Sequence, residues 1–188
     1  MDQHVIRGIR SDEWERVREL RLSALGDPAA SVAFLDTLAE AEVRPDEYWQ
    51  QRTEGGAQGR WARQFVAQAA DGRWDGSVTV LVEEGGGVDF FGVPVEETQG
   101  HLVGVFVRPE QRGVGLAEAL FEAALEWAWS ADGPGVRRVR LFVHEANARA
   151  AAFYRRFGFE ASGHVVAVPG DPSVKDLEYV FLRPGSAA

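Results

Sequence analysis

The chain has 188 residues, 45% of them hydrophobic and 26% charged, with no cysteine and a formal net charge of −9 at pH 7. That length suits one well-buried domain and is short for two. The missing cysteines exclude disulfides, cysteine-ligated zinc and a cysteine nucleophile, and the acidic balance argues against nucleic-acid partners, which are held by basic surfaces.

Val5-Ile6-Arg7-Gly8-Ile9-Arg10 predicts a first strand. Ser11-Asp12-Glu13-Trp14 then predicts a helix start with Ser11 as N-cap. Trp14, Val17, Leu20, Leu22 and Leu25 recur at roughly helical period until Gly26-Asp27-Pro28 ends the run. Residues 29–59 are expected to be helical in pieces, anchored by Phe34, Leu35, Leu38, Tyr48 and Trp49. Pro45 is expected in the first turn of the second piece, and Gly55-Gly56-Ala57-Gln58-Gly59 as a loop. Residues 63–69 and 77–83 predict two strands flanking the turn Asp71-Gly72-Arg73.

Gly85-Gly86-Gly87 breaks the second of these strands, and residues 85–100 are expected as a long loop, either a functional insertion or a flexible hairpin end. A strand at 101–107 leads into a glycine turn and a helix to about Ser130. In that helix Leu116, Leu120, Ala124 and Ala128 form a core stripe, while Glu118, Glu122 and Glu126 form a solvated acidic row. Residues 139–143 predict a strand, and residues 147–157 a short helix closed by Gly158. Two final strands, from Phe159 onward and over 177–182, flank the turn Gly170-Asp171-Pro172. The order predicts a single mixed α/β domain over residues 1–184, followed by a disordered tail over 185–188.

His4, His101, His144 and His164 show no metal-ligand spacing, so no metal is expected. No apolar run approaches the roughly 20 residues needed to span a bilayer, so no membrane partner is expected. Met1-Asp2-Gln3-His4-Val5 does not read as a signal peptide, which gives a cytoplasmic expectation.

The most informative stretch is Arg112-Gly113-Val114-Gly115-Leu116-Ala117, between an apolar strand and an amphipathic helix. Backbone N–H groups at a helix start have no partner within the helix. Together with the positive end of the helix dipole they suit a phosphate or pyrophosphate. A P-loop would need Lys-Ser or Lys-Thr after the second glycine. A dinucleotide fingerprint would need a third glycine and an earlier position in the chain.

Residues 105–117 resemble the acetyl-CoA-binding segment of the GCN5-related N-acetyltransferases, with Arg112, Gly115 and Ala117 matching the family's Q/R-x-x-G-x-G/A signature. Asn147-Ala148-Arg149-Ala150-Ala151-Ala152-Phe153-Tyr154-Arg155-Arg156-Phe157-Gly158-Phe159 resembles its N-x-x-A-x-x-x-Y-x-x-x-G-F block. The clear resemblance covers residues 101–160. It implies a mixed, mostly antiparallel central sheet with splayed middle strands and flanking helices, and an N-acetyltransferase using acetyl-CoA as co-substrate, without a metal, to acetylate a primary amine by direct attack in a ternary complex.

The resemblance implies that Arg112 and the amides of Gly113, Val114, Gly115, Leu116 and Ala117 cradle the CoA pyrophosphate. It implies that Val105, Phe106 and Val107 pair with the pantetheine arm, with the amide of Val105 or Phe106 stabilising the oxyanion. Asn147 would touch the cofactor, cap its helix, or do both. Tyr154 would contact the cofactor and protonate the departing thiolate. For the base, His101 leads, because unbroken alternation puts residues 101, 103, 105 and 107 on one face. Glu83, Glu84 and His144 follow, and a water relay with no dedicated base is the remaining option. The acidic composition and the loop at 85–100 lean towards a cationic amine or a basic peptide terminus. A homodimer is left open. The rival reading is a non-catalytic CoA-binding module acting as a sensor or partner-binding subunit.

Overall fold

Runs of β-branched and aromatic residues set the sheet. The computed structural model describes residues 4–185, so Met1 to Gln3 and Ser186 to Ala188 of the expected tail lie outside the described residues. The strands are β1 (Val5–Gly8), β2 (Ala62–Gln68), β3 (Trp74–Glu83), β4 (Gln99–Val107), β5 (Arg138–His144), β6 (Glu160–Val168) and β7 (Asp171–Leu182). They form one sheet in the order β1-β2-β3-β4-β5-β7-β6. Every pairing is antiparallel except β4 with β5, and a parallel pair needs a crossover. Helix α4 (Leu116–Trp129) supplies it. The other helices are α1 (Trp14–Leu25), α2 (Leu38–Glu42), α3 (Asp46–Gln58) and α5 (Ala148–Phe157). Among the described residues no helix is long and apolar enough to cross a membrane.

Alternation along the strands feeds two cores. Phe65, Ala67, Val78 and Val80 pack with Leu116, Leu120, Phe121 and Ala124 of α4 and with Ala151 and Tyr154 of α5. On the opposite face Val66, Trp74 and Phe106 pack with Val17, Leu20 and Ala24 of α1. Neighbours Phe65 and Val66 thus serve different cores, as a period of two requires.

One extra residue in β4 breaks that period. Ser77 pairs with Phe106, yet Thr79 pairs with Val103, so Gly104 and Val105 together oppose Val78. This is a β-bulge, and Gly104 adopts φ +63° within it. Leu102 therefore shares the α4-side core with Val105 and Val107, whereas Phe106 turns to α1. The expectation that residues 101, 103, 105 and 107 share one face fails here, because the bulge flips the strand after Val103.

The parallel pairing of β4 and β5 is confined to Gly100 with Val139 and His101 with Arg140. Beyond that point the strands part, leaving residues 102–107 of β4 and 141–144 of β5 as walls of an open wedge.

Three local expectations are corrected. Ser11 lies in a turn, and Glu13 holds the position before α1 without capping it through its side chain. Its carboxylate instead accepts from Arg7 at 2.6 and 2.9 Å and from the Arg10 amide at 2.9 Å. The expected glycine loop at 55–59 is helical to Gln58 and ends at Gly59 with φ +72°. Tertiary packing overrides poor helix propensity there, because a Cβ on buried Gly56 would come within 3.3 Å of Gln64 and Ile9. The segment after Glu83 is a tied hairpin end rather than a free loop. Val88 bridges Pro94, and the buried Asp89 carboxylate accepts from the amides of Phe91 and Val93 at 2.9 and 2.8 Å.

Candidate active site

The glycine turn lies at the mouth of the wedge. Gly113 and Gly115 adopt φ +82° and +85°, a conformation costly for any side chain. A Cβ on either would meet nothing within 4 Å, so both glycines open onto free space. The first intrahelical bond of α4 runs from the Ala119 amide to the Gly115 carbonyl. The amides of Gly115, Leu116, Ala117 and Glu118 are therefore left without intrahelical acceptors. Val114 is exposed at the tip of the turn and Leu116 is buried beneath it.

The side chains at 112 and 147 are engaged within the protein. Arg112 donates from Nε to the Val107 carbonyl at 2.9 Å and from Nη2 to Asp27 at 2.5 Å. Burial raises the Asp27 pKa, but hydrogen bonds from the Ala29 amide and Arg112 lower it further, so the net shift is downward. Arg112 thus pins the turn to the end of β4 and to the loop after α1, and does not point a free guanidinium at an anion. Asn147 caps α5 through Oδ1, which accepts from the Ala150 amide at 3.1 Å, and donates from Nδ2 to the Val32 carbonyl at 3.3 Å.

Tyr154 sits on the buried face of α5. Its ring stacks on Phe121 of α4 at 5.8 Å and lies 6.4 Å from the ring of Tyr179 on β7. The hydroxyl has no hydrogen-bond partner among the described residues, and burial pushes its pKa up to about 12. It is therefore a neutral donor at physiological pH.

His101 is buried on β4, one residue pair from the closed end of the wedge. Its Nδ1 meets Glu83 Oε1 at 2.9 Å and its ring packs edge-on to Phe142 at 5.5 Å. Glu83 also accepts from Gln99 at 2.8 Å and twice from Arg140 at 2.9 Å. Burial raises the Glu83 pKa, but hydrogen bonds from His101 and Arg140 outweigh it and hold the group at about 2. A carboxylate so stabilised is a poor base. It instead orients His101, favouring a proton on Nδ1 and a free Nε2. Glu84 is exposed in the turn beyond. His144 is committed to a turn, its Nδ1 accepting from the Ala146 amide at 3.1 Å.

Buried Arg140 is the hub of this network. Besides Glu83 it donates to Asp89 at 2.7 Å and to Glu178 at 3.0 Å. Sequence reasoning missed Arg140, Asp89 and Glu178. The signal was the alternation in Arg138-Val139-Arg140-Leu141-Phe142, which puts two arginines and an aromatic on one strand face.

A narrow cavity of about 20 Å³ abuts the bulge on the α1 side, lined among others by Gly104, Ser77, Thr79, Gln64, Arg21 and Arg52. None of these polar side chains was singled out from sequence. A wider groove between α4 and α5 carries Glu118, Glu122 and Glu126. That acidic lining is ill suited to a diphosphate. Among the described residues no group of His, Asp and Glu side chains could hold a metal ion.

A model of the acetyltransferase (GNAT) family matches residues 29–159. A putative [ribosomal protein bS18]-alanine N-acetyltransferase of Bacillus subtilis is 29% identical over 84 residues, a match spanning 45% of this chain and 54% of that protein. The fold is shared with an acetyltransferase of the GNAT family from Streptococcus pneumoniae, at TM-score 0.71 and 18% identity over 96% of this chain and 100% of that one. It is also shared with a spermidine N-acetyltransferase from Vibrio cholerae solved with CoA and spermine, at TM-score 0.67 and 16% identity over 96% and 95% of the two chains. With the glycine turn, the parted strands and the matched segment all in one unit, the chain belongs to the acetyltransferase (GNAT) family.

Proposed function

We propose that the protein transfers an acetyl group from acetyl-CoA to a primary amine by direct attack in a ternary complex. The observation that carries this reading is the wedge between β4 and β5, with unpaired helix-start amides at its mouth and a cavity at the bulge on one face. The amides of Gly113 to Ala117 hold the diphosphate, and the free edge of Val105, Phe106 and Val107 pairs with the amides of the pantetheine arm. Arg112 and Asn147 shape this cradle through the turn and the helix cap they secure.

The acceptor nitrogen enters on the α1 side and attacks the thioester carbonyl carbon. An amide of the bulge, that of Val105 or Phe106, stabilises the oxyanion. As the carbon–sulfur bond breaks, Tyr154 donates a hydrogen bond to the departing sulfur. Full proton transfer from a phenol near 12 to an ordinary thiolate is uphill. The hydroxyl therefore works chiefly by stabilising charge on sulfur. The amine proton leaves through water to Nε2 of His101, with Glu83 fixing the ring.

Acetylation is tested by following thiol release from acetyl-CoA with a panel of amines. Acetylated amine formed in step with CoA supports the reading, and acetyl-CoA binding without transfer to any amine favours a non-catalytic module. His101→Gln should lower kcat/KM about 100-fold near pH 7, within the usual range for a general base. That deficit should shrink as pH rises towards the acceptor's own pKa, because an amine already neutral needs no base. A pH–rate profile of both proteins checks this, and an equal deficit at all pH values would assign His101 a structural role.

A further inference from the structure

One carboxylate on the α1 side of the sheet has no counter-ion. Leu177, Tyr179 and Phe181 of β7 pack in the α4-side core, so Asp176 and Glu178 point the other way. Leu141 and Val143 of β5 enter the same core, which turns Phe142 and His144 to the α1 side. Asp176 pairs with His144 across the two strands and is partly shielded from solvent. Its side chain accepts no hydrogen bond and joins no ion pair among the described residues. Every other wholly or partly shielded carboxylate among them has an arginine partner, as Asp27 has Arg112 and Glu178 has Arg138 and Arg140. The His144 ring accepts the Ala146 amide on Nδ1, so it is a polar neighbour rather than a salt-bridge partner. Burial raises the Asp176 pKa, and His144 offsets this only in part.

Register sets this carboxylate beside the reaction. The strands β4 and β5 are last paired at His101 with Arg140. Three residues further along both parallel strands, Gly104 stands level with Val143, so His144 faces the bulge across the wedge. Asp176 lies one strand beyond His144, at a spacing of about 5 Å. An amine attacking a thioester at the bulge on this face is therefore only a few carbon–carbon bonds from Asp176. A shielded carboxylate without a partner is costly, and an arriving ammonium relieves that cost with a charge-assisted hydrogen bond. Glu178, next on the same face, does not compete, because Arg138 and Arg140 already neutralise it. Resting on the acetyl-transfer reading above, we propose that the acceptor carries a second positive charge, with its attacking nitrogen at the Gly104 bulge and its second cationic group held by Asp176 across the β5 wall. The lean towards a cationic amine, taken from overall composition, thereby gains a specific side chain.

The test uses primary amines that differ only in the charge at the far end of one spacer. Diaminopropane, butylamine and aminobutyrate share three carbons, and diaminobutane, pentylamine and aminopentanoate share four. A site built around a polar group discriminates against the analogue lacking it. The diamine of the preferred set should exceed the neutral amine by about 10- to 100-fold in kcat/KM, the range for a hydrogen bond to a charged group, and the carboxylated amine should be poorer still. Asp176→Asn, which keeps the side-chain shape, should reduce the diamine preference to about 3-fold or less. Asp176→Lys should move the preference to the carboxylated member, a reversal that a merely structural role would not produce. Circular dichroism verifies the fold of both variants, and the wild-type series decides by itself if either fails to fold. A neutral or carboxylated amine acetylated as well as the diamine by the wild type would overturn the inference while leaving acetyl transfer intact. A diamine preference undiminished in Asp176→Asn would overturn it too. If no amine is turned over, diaminobutane is titrated into the CoA-loaded protein. Binding lost in Asp176→Asn would uphold the cation site while removing the catalytic reading, and no binding to wild type would overturn the inference.

Discussion

Tyr154→Phe is expected to lower kcat about 100- to 1,000-fold while leaving acetyl-CoA affinity and the fold unchanged. The magnitude follows from removing one donor aimed at charge that develops only in the transition state. Stability should move by no more than about 0.5 kcal/mol, because the hydroxyl has no partner among the described residues and the ring's contacts with Phe121, Phe153 and Phe159 all survive. Single-turnover kinetics with a preferred amine, beside calorimetric binding of acetyl-CoA, separates the two effects. An unchanged kcat would remove Tyr154 from the chemistry and leave it as a core aromatic.

Arg140→Ala is expected to destabilise the protein by about 3–5 kcal/mol, the range for breaking a buried ion pair from one side. Three carboxylates, Glu83, Asp89 and Glu178, lose their shared cation. The hairpin end at 84–98 loses its anchor through Asp89, and His101 loses the fixed position of Glu83. Urea titration measures the difference, and a change below about 1 kcal/mol would show that the cluster contributes little net stability, as at exposed ion pairs.

The same cluster sets an acid limit. Glu83 falls from 4.5 to about 2 on folding, so the folded state binds its proton less readily than the unfolded chain. This stabilisation is complete above the unfolded value of 4.5 and is lost as pH falls towards 2. It amounts to about 3 kcal/mol from a shift of that size. Glu83→Gln should flatten the stability–pH curve between pH 5 and 2, and an unaltered curve would place the acid sensitivity elsewhere.

What sequence reading reached depended on whether a feature is local. The glycine turn at 112–117 and the helix block at 147–159 are each contiguous, so residue type and spacing sufficed. Alternation located β2 and β3, and the stripe at Leu116, Leu120, Ala124 and Ala128 placed α4 against the core. The bulge escaped because alternation assumes a constant period. A lone glycine inside the run, Gly104, was its available signal. Gly56 was misread because a helix can hold a glycine where β2 approaches too closely for a side chain. The cavity at the bulge was illegible for a different reason. Arg21 and Arg52 look like ordinary solvent-facing helix charges, and only the packing of α1 and α3 onto β2, β3 and β4 gathers them around one space.

Structure determination with acetyl-CoA bound is the most direct test of the account. The diphosphate should lie within hydrogen-bond distance of the amides of Gly113 to Ala117, with the pantetheine arm along Val105 to Val107 and the thioester at the bulge. Density for the cofactor in the acidic groove between α4 and α5, or anywhere that leaves the wedge vacant, would contradict it.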